Sequence, residues 1–505
     1  MSAGTAALVA TLALPALGAV IVALVPSAVD RVGRAIGAGF AGLAFLASLL
    51  LYRGSGSTED YPTVIRPWHE LDVAWAPGLD LRLHLGVDGL SYPLVVLTTL
   101  LTALCCGYCL WRTPSGRPGR SLVALLLVVE TGILGTFLAL DLVLFFVFFE
   151  VVLLPMYAVI AGWGDPGADG RAAAAAARKF ALYTLAGSVL LLVGVCAVVA
   201  AAGTADIVAL TGGAALSRPG QLAAFALFAI AFAVKSPLWP LHTWLPDAHT
   251  RAPTVGSVLL AGVLLKMGTY GLVRVGLGVT PQGARLAAPL LGALAVAAIL
   301  VGALVCLAQS ELKRLIAYSS VGHMGFVLLG IATLTTTGLQ AALIGNVAHG
   351  VITGLLFFLA GAVKDRCHTG ELDALGGLRE RMPVLSGLLA YAAIASLGLP
   401  GLAGFWGEAF AVVAGLRRGG PLWGTLAVLA AVGGALTAAY MVRMLRRVTH
   451  GPASPAVAAA PTGIAGAEVA VWGPLIALAL VVGLVPALVL DITGAPAREL
   501  IEVLR

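Results

Sequence analysis

Ionisable side chains lie inside stretches of this sequence that are otherwise apolar enough to span a membrane. Lys235 and Lys266 both fall in the stretch 232–268, with four prolines between them. An ionised lysine at the centre of a bilayer costs at least about 2.5–3.5 kcal/mol, so each lysine is a candidate functional group. Proline interrupts a helix, and an interrupted helix in a membrane must be buried in protein or line a wet cavity. A buried cation beside a broken helix is typical of ion-translocating membrane proteins.

Seven other ionisable residues are candidates for the same chemistry. The main ones are Glu150, His323, His349 and Glu408, and the secondary ones are Glu130, His242 and His249. Carboxylates, imidazoles and amines bind and release protons, so together these residues predict a proton path through the membrane. A Glu150–Lys235 pair that opens and closes would change the affinity of the lysine for its proton. The structural alternative is a set of ion pairs and backbone-bonded histidines that hold helices in register, although apolar packing serves that purpose as well.

Composition places the chain among polytopic membrane proteins. Of its 505 residues 60% are hydrophobic and 11% are charged, and the mean hydropathy is +1.01. A soluble domain averages about 25% charged residues, so no soluble fold of this length could bury so much apolar surface. The basic residues are scattered through short loops, which excludes nucleic acid as an expected partner.

Fourteen stretches are long and apolar enough to cross a bilayer, which takes about 20 residues each. They are 5–25, 33–52, 89–111, 121–139, 141–161, 178–202, 221–244, 253–277, 284–308, 315–335, 339–363, 384–416, 421–445 and 468–490. We expect breaks inside 221–244, at Pro237 and Pro240, and inside 384–416, at Pro400. Matching breaks in two halves of a chain indicate inverted repeats around a site near the membrane midplane.

The loops predict an orientation. With the N-terminus outside, 18 of the 30 Lys and Arg residues fall in cytoplasmic loops and 10 in outer segments, among which we count Arg274. Cytoplasmic loops are enriched in Lys and Arg, so both termini are predicted outside. The high alanine and glycine content favours a bacterial source, and hence the bacterial inner membrane as the location.

The polar segments predict no soluble domain. The longest polar segment is about 53–88. Apolar and polar residues alternate in it at 71–75 and 81–85, which predicts an outer loop with a β-hairpin. The segment 450–467 is rich in Ala, Pro and Gly and is typical of a linker. We therefore expect no nucleotide or iron–sulfur cofactor in this chain.

Cysteines and histidines do not predict a metal site. Cys105, Cys106 and Cys109 form a C-C-x-x-C pattern, but an iron–sulfur cluster needs a fourth thiolate and polar support. Small apolar packing is the simpler interpretation. The histidines lie on different predicted helices without metal-ligand spacing.

Motifs in chain order connect these residues to a known family. They are 85–91, the block from Leu140 through Glu150 to Tyr157, 179–184, 232–268, 311–325, His349-Gly350, Gly376 to Leu378, and Leu397 to Glu408. Over about 85–450 the chain resembles the antiporter-like membrane subunits of respiratory complex I. It is most similar to their subunit M branch, which includes mitochondrial subunit 4.

The resemblance implies an all-α polytopic fold of about fourteen transmembrane helices, with two inverted five-helix repeats that each contain a broken helix. The implied segments are three helices and an outer loop over 1–120, a first repeat over 121–277, a second repeat over 284–447, and a linker with a last helix over 448–505.

The resemblance also implies roles along one polar axis. Glu150 and Lys235 are the ion pair, Lys266 is the central relay lysine, His323 and His349 lie on the axis, and Glu408 is the outward exit residue. Siblings of this branch usually carry a lysine where Glu408 stands. Arg251 replaces a usual glutamate and Gly370 a usual arginine, both at the predicted cytoplasmic surface.

The implied partners are the other membrane-arm subunits of complex I, including two antiporter-like siblings, and membrane lipid. NADH oxidation and quinone reduction would occur in other subunits.

Three alternatives remain at this stage. A subunit of a multi-subunit sodium/proton antiporter would show in sodium tolerance, although Glu408 in place of lysine disfavours it. The membrane arm of a membrane-bound hydrogenase would show in the neighbouring genes. A purely structural scaffold leaves the buried charges unexplained.

Overall fold

The computed structural model describes residues 2–52, 65–76, 81–114, 117–167 and 170–504. In the first half of the chain the helices and strands are α1 (Ala3–Leu24), a 3-10 turn (Ser27–Val29), α2 (Asp30–Leu49), β1 (His69–Ala76), β2 (Leu81–Val87), α3 (Tyr92–Trp111), α4 (Gly119–Leu138), α5 (Leu142–Val151), α6 (Leu153–Trp163), α7 (Ala172–Ala202), α8 (Ile207–Leu210), α9 (Arg218–Lys235) and α10 (Trp244–Arg251).

The second half begins with a helix that contains two π-helical segments. Its elements are α11 (Thr254–Leu259), a π segment (Leu260–Leu264), α12 (Leu265–Gly271), a π segment (Leu272–Leu277), α13 (Pro281–Ala308), α14 (Leu312–Ala332), α15 (Thr336–Cys367), a 3-10 turn (Leu372–Ala374), α16 (Leu378–Arg381), α17 (Pro383–Ser396), α18 (Gly404–Arg418), α19 (Gly420–Thr449), α20 (Pro455–Ala458), α21 (Gly466–Leu484) and α22 (Ala487–Val503).

Thirteen spans in the described ranges are long and apolar enough to cross a membrane. Thirteen of the fourteen predicted stretches correspond to them. The remaining stretch, 384–416, is present as two shorter helices, α17 and α18. The prediction of an all-α membrane protein with about fourteen transmembrane helices is confirmed.

Both predicted breaks are present. The stretch 221–244 is helical only as far as Lys235, and the helix resumes at Trp244 beyond Pro237 and Pro240. Each proline lacks the N–H that a continuing helix would use. In the stretch 384–416 the helix stops at Ser396 and resumes at Gly404, on either side of Pro400.

Helix α21 satisfies part of the backbone that the second break leaves unpaired. The N–H of Ala403 donates to the carbonyl of Ala479 at 3.0 Å, and the indole N–H of Trp406 donates to the carbonyl of Gly483 at 2.8 Å. A Cβ on Gly483 would lie 2.4 Å from the carbonyl oxygen of Gly401, so this approach requires glycine. Contacts with protein thus satisfy part of the irregular backbone, as its position in a membrane requires, while Leu399 and Pro400 are exposed.

A third, smaller interruption separates α5 from α6 at Val152. Pro155 explains it, because its nitrogen cannot donate to the carbonyl of Val151. The interruption follows Glu150 by two residues.

Residue contacts divide the chain into two compact units. Unit 1 comprises Met1–Ser236, Val263–Pro289 and Val489–Arg505, and unit 2 comprises Pro237–Gly262 and Leu290–Leu488. In unit 1, α4 packs against α1, α2, α3, α5 and α6. In unit 2, the buried helix α15 packs against α14, α17, α18 and α21. The inverted relation of two repeats, with the segment boundaries that it implies, stays a prediction.

The predicted hairpin in the outer segment is confirmed. Strands β1 and β2 are antiparallel, and Leu71 pairs with Leu85 and Val73 with Leu83. The rest of that segment, 53–64 and 77–80, lies outside the described residues. The predicted linker 450–467 contains only the single-turn helix α20.

An unpredicted helix, α22, follows the last predicted span. Its sequence carries charged residues and Pro496, so it shows no long apolar run. The loop after β2 contacts it closely, because a Cβ on Gly89 would lie 2.2 Å from the carbonyl oxygen of Ile492.

Within unit 1, a buried histidine connects the hairpin to Asp206, the residue before α8. The side chain of His84 is 4% exposed, with Nε2 2.6 Å from Glu70 Oε1 and Nδ1 3.2 Å from Asp206 Oδ2. Burial lowers the pKa of His84, but the carboxylates of Asp206 and Glu70 outweigh it and raise that pKa from 6.5 to about 9. The protonated ring offers two N–H donors, one for each carboxylate.

The His84 cluster predicts a loss of stability at alkaline pH. Since the pKa of His84 is raised in the folded state, its contribution is complete below about pH 6.5 and is lost as the pH rises through about 9. At about 1.4 kcal/mol per pKa unit, the loss is on the order of 3–4 kcal/mol. We expect the thermal unfolding temperature in detergent to fall over this range in the wild type and to fall much less in His84→Gln. His368→Gln, at an exposed histidine, is the matched control and should behave as wild type. Equal pH dependence in the wild type and His84→Gln would contradict the assignment.

Candidate functional site

Lys235 is the last residue of α9 and its side chain is buried in unit 1, at 2% exposure. Its Nζ lies 4.7 Å from the ring centroid of Phe149, a cation–π contact. The charge of the half-buried Glu150 acts on Lys235, but among the described residues no salt bridge within 4.0 Å joins the two. The lysine is therefore held by an aromatic face next to a carboxylate.

Lys266 lies on α12, also in unit 1, and is fully buried. Helices α9 and α12 touch beside the two lysines: a Cβ on Gly268 would lie 2.3 Å from Ser236 Oγ and 2.8 Å from the carbonyl oxygen of Phe232. Gly268 permits this approach. Helices carrying the two predicted lysines are therefore in direct contact.

Glu130 lies on α4 and is fully buried. Both of its carboxyl oxygens lack a hydrogen-bond partner among the described residues. An ionised carboxylate is costly in such surroundings, so an uncharged acid suits this position better.

Unit 2 contains a hydrogen-bonded group around His323. Its Nδ1 lies 2.9 Å from Glu408 Oε1, and its Nε2 lies 2.9 Å from Ser396 Oγ. The ring of His349 is 5.8 Å from that of His323, centroid to centroid. These four side chains line one cavity of about 30 Å³. The structure thus brings together three of the residues that the sequence predicted.

The backbone of the second break positions Glu408. Gly398 has a φ of +69°, in the left-handed region that favours glycine. A Cβ there would also lie 2.7 Å from Glu408 Oε2. Any other residue at this position would be strained and would displace the carboxylate.

The two secondary histidines of unit 2 lie in different surroundings. The His249 ring is fully buried and stacks on Phe357, with the ring centroids 4.5 Å apart. His242 is 7% exposed, and its ring centroid is 6.2 Å from that of Tyr318. Neither ring lines the cavity around His323.

Two polar groups that the structure places near the predicted residues escaped the sequence analysis. Ser396 is the last residue of α17, directly before the break. A polar residue at that position was the sequence feature that could have identified it as part of the site. Arg274, which we counted in an outer segment, is instead buried at 3% exposure, with Nη2 2.5 Å from Asp88 Oδ2. The only indication in the sequence that Arg274 faces inward was its spacing of four residues from Tyr270, which places both on one face of a helix.

The side chains at these sites are of the kinds that bind and release protons. Amines, imidazoles and carboxylates recur in both units, and the described part of the chain has no group of three or more His, Cys, Asp or Glu residues that could hold a metal ion. Cys105, Cys106 and Cys109 are buried and form no disulfide.

The chain matches the family model described as "NADH:quinone oxidoreductase/Mrp antiporter, TM" over residues 139–436. It is 39% identical to NADH-quinone oxidoreductase subunit M of Rhodobacter capsulatus, over 97% of this chain and 95% of the relative. It is 38% identical to subunit M of Escherichia coli (strain K12), over 89% of each protein.

Solved structures agree with the sequence relatives. A chain of respiratory complex I from Thermus thermophilus matches with a TM-score of 0.86 and 30% identity, over 99% of this chain and 100% of that chain. A chain of the Mrp complex from Dietzia sp. matches with a TM-score of 0.85 and 24% identity over both full chains, which shows a shared fold. With a family model that covers more than half of its length and a subunit M relative that covers nearly all of it, the chain belongs to the family of NADH:quinone oxidoreductase and Mrp antiporter membrane subunits.

Proposed function

We propose that this chain is a proton-translocating membrane subunit of an NADH:quinone oxidoreductase. The observation that carries the proposal is the burial of Lys235 and Lys266 on two contacting helices of unit 1. Buried amines inside a membrane are costly unless they function. The 39% identity to a subunit M along nearly the whole chain supports the choice of complex.

Protons enter from the cytoplasm near His242 and Lys235 and pass along Lys266, His323 and His349. They leave near Glu408, whose carboxylate is hydrogen-bonded to His323. Glu150 controls the lysine next to it, while Glu130 holds a proton beside the path. Both termini face outward, and the membrane is the bacterial inner membrane.

The chain acts with partners. It binds no redox cofactor of its own, and NADH oxidation and quinone reduction take place in other subunits. Its neighbours are the other membrane-arm subunits, including two antiporter-like siblings, and lipid. The many large exposed apolar side chains of its helices suit contacts with lipid and with such subunits.

A sodium/proton antiporter subunit is the second candidate, because the Mrp complex has the same fold. Glu408 in place of a lysine disfavours it. If deletion of the chain changed sodium tolerance and left NADH-driven pumping intact, the antiporter would be the better assignment.

Removal of either lysine tests the proposed path. In the assembled enzyme we expect Lys235→Ala and Lys266→Ala to lower both NADH-driven proton pumping and NADH:quinone turnover at least about tenfold, which corresponds to about 1.4 kcal/mol. The two rates are measured together in native membranes, with assembly checked by native electrophoresis. Lys364→Ala, at the end of α15, is the matched control and should retain both rates. If Lys235→Ala pumps and turns over normally, the lysine is structural.

Two variants separate proton exchange from positioning in unit 2. We expect Glu408→Gln to abolish pumping, because an amide cannot take up a proton at neutral pH. Ser396→Ala removes one hydrogen bond worth about 1 kcal/mol and should lower pumping only about fivefold. Pumping per NADH oxidised is the readout. The reverse order of effects would show that the serine, not the glutamate, is the essential partner of His323.

A further inference from the structure

A row of polar side chains runs along one face of the helix that carries Lys266. Tyr270 and Arg274 follow it at intervals of four residues, which places them above one another on a helix. All three are at least 97% buried. The row runs through α12 into the π-helical segment Leu272–Leu277, a departure from α-helix that is frequent at functional sites.

The row ends at a cavity in unit 1. This cavity has a volume of about 50 Å³ and is lined by Arg274 together with Asp88, Arg66, Asp491 and Glu499. Such a polar space is large enough to hold water. It lies at the end of the span that we predict to face outward, beside the hairpin and α22. Water there would be a short distance along the helix from Lys266.

The hydrogen bonds that join Asp88, Arg274 and Tyr270 have fixed directions. Arg274 donates through Nη2 to Asp88 Oδ2 at 2.5 Å and through Nε to the hydroxyl oxygen of Tyr270 at 3.0 Å. The Tyr270 hydroxyl donates onward to the backbone carbonyl of Phe137 at 2.9 Å. Asp88 Oδ1 accepts from the backbone N–H groups of Leu90 and Ser91, at 3.0 Å each.

A series of hydrogen bonds whose donors are fixed in this way cannot relay a proton. Arginine does not release its proton in proteins, and a hydroxyl whose hydrogen is committed to a carbonyl has no acceptor beyond it. An arginine in a pore is also a barrier to protons and cations. The carboxylate of Asp88 compensates the cost of burying that charge.

We propose that Asp88, Arg274 and Tyr270 form a seal that separates Lys266 from the outer cavity. The seal prevents a proton on Lys266 from leaking to the outside within unit 1, so that the proton continues to the histidines of unit 2. This role rests on the proposed proton path. None of the three residues exchanges a proton itself; they position the barrier.

The test uses two variants. A seal and a structural ion pair make opposite predictions about which of the two variants is damaged more. Asp88→Asn keeps the guanidinium and the shape of its partner, whereas Asp88→Asn/Arg274→Gln removes the cation and keeps hydrogen-bonding groups. A structural pair is damaged most by the single change, which leaves a buried charge alone, and less by the neutral double change. A seal stays closed in the single variant and opens in the double variant.

Purified enzyme in liposomes provides the measurement. Passive proton leak is recorded without NADH under an imposed potassium-diffusion potential, and pumping and NADH:quinone turnover are recorded with NADH. For Asp88→Asn/Arg274→Gln we expect turnover to be retained, the leak per complex to rise on the order of tenfold, and pumping per NADH to fall, as for a barrier lowered by about 1.4 kcal/mol. Asp88→Asn should hold a gradient as the wild type does.

A matched control is present in unit 2. Arg366 and Glu468 form another buried pair, with Nη2 2.6 Å from Oε2 and exposures of 6% and 1%. Arg366→Gln/Glu468→Gln should lower stability without raising the leak. If both double variants leak equally, or if neither leaks, the seal is refuted; this comparison remains decisive if Asp88→Asn fails to assemble.

A triple variant distinguishes the seal from the proton path. Adding Lys266→Ala to Asp88→Asn/Arg274→Gln should abolish the extra leak, because the leak would pass through the lysine. A leak that persists in the triple variant overturns the seal. Normal pumping in Lys266→Ala alone would instead refute the proposed function, whatever the leak measurements show.

Discussion

The free-energy cost of holding charge inside a membrane is the constraint on which the rest of this structure depends. The buried cations of unit 1 meet it in different ways. Arg274 has a carboxylate at 2.5 Å, and Lys235 has an aromatic ring at 4.7 Å with a carboxylate further away. The first arrangement fixes the charge, since guanidinium does not deprotonate. The second stabilises an amine less strongly, which is the property that the proposed proton path requires of Lys235. In that proposal, the compensation given to each buried charge distinguishes the barrier residue from the carrier residue.

Helix interruptions lie beside the residues of the proposed proton path. Lys235 ends α9 at the first break, Glu150 lies two residues before the interruption at Val152, and Glu408 is in the first turns of α18 after the second break. A continuous helix would surround such side chains with apolar neighbours and satisfied backbone. An interruption makes room for polar contacts, provided that protein satisfies the freed backbone groups. The bond from Ala403 to α21 is of that kind.

The sequence was sufficient for features that depend on neighbouring residues. Apolar runs of about 20 residues predicted the spans, proline predicted the two main breaks, and single charges in apolar runs predicted the lysines. Features that depend on distant residues were not predictable. Asp88 and Arg274 are 186 positions apart, and α22 has no apolar run to reveal it. The cation–π contact of Lys235 was hidden for the same reason, since no local pattern shows which ring faces an amine 86 positions later.

The chemistry of the two units gives the proposed transfer a direction. A lysine side chain changes from neutral to +1 when it takes up a proton, whereas a carboxylate changes from −1 to neutral. In the proposed path, transfer of one proton from a protonated lysine to the carboxylate of Glu408 thus removes two charges at once, and charge is costly at membrane depth. In the proposed path, supplying a lysine with its proton is therefore the step that needs energy. The proposed barrier at Arg274 matters most while that lysine is protonated.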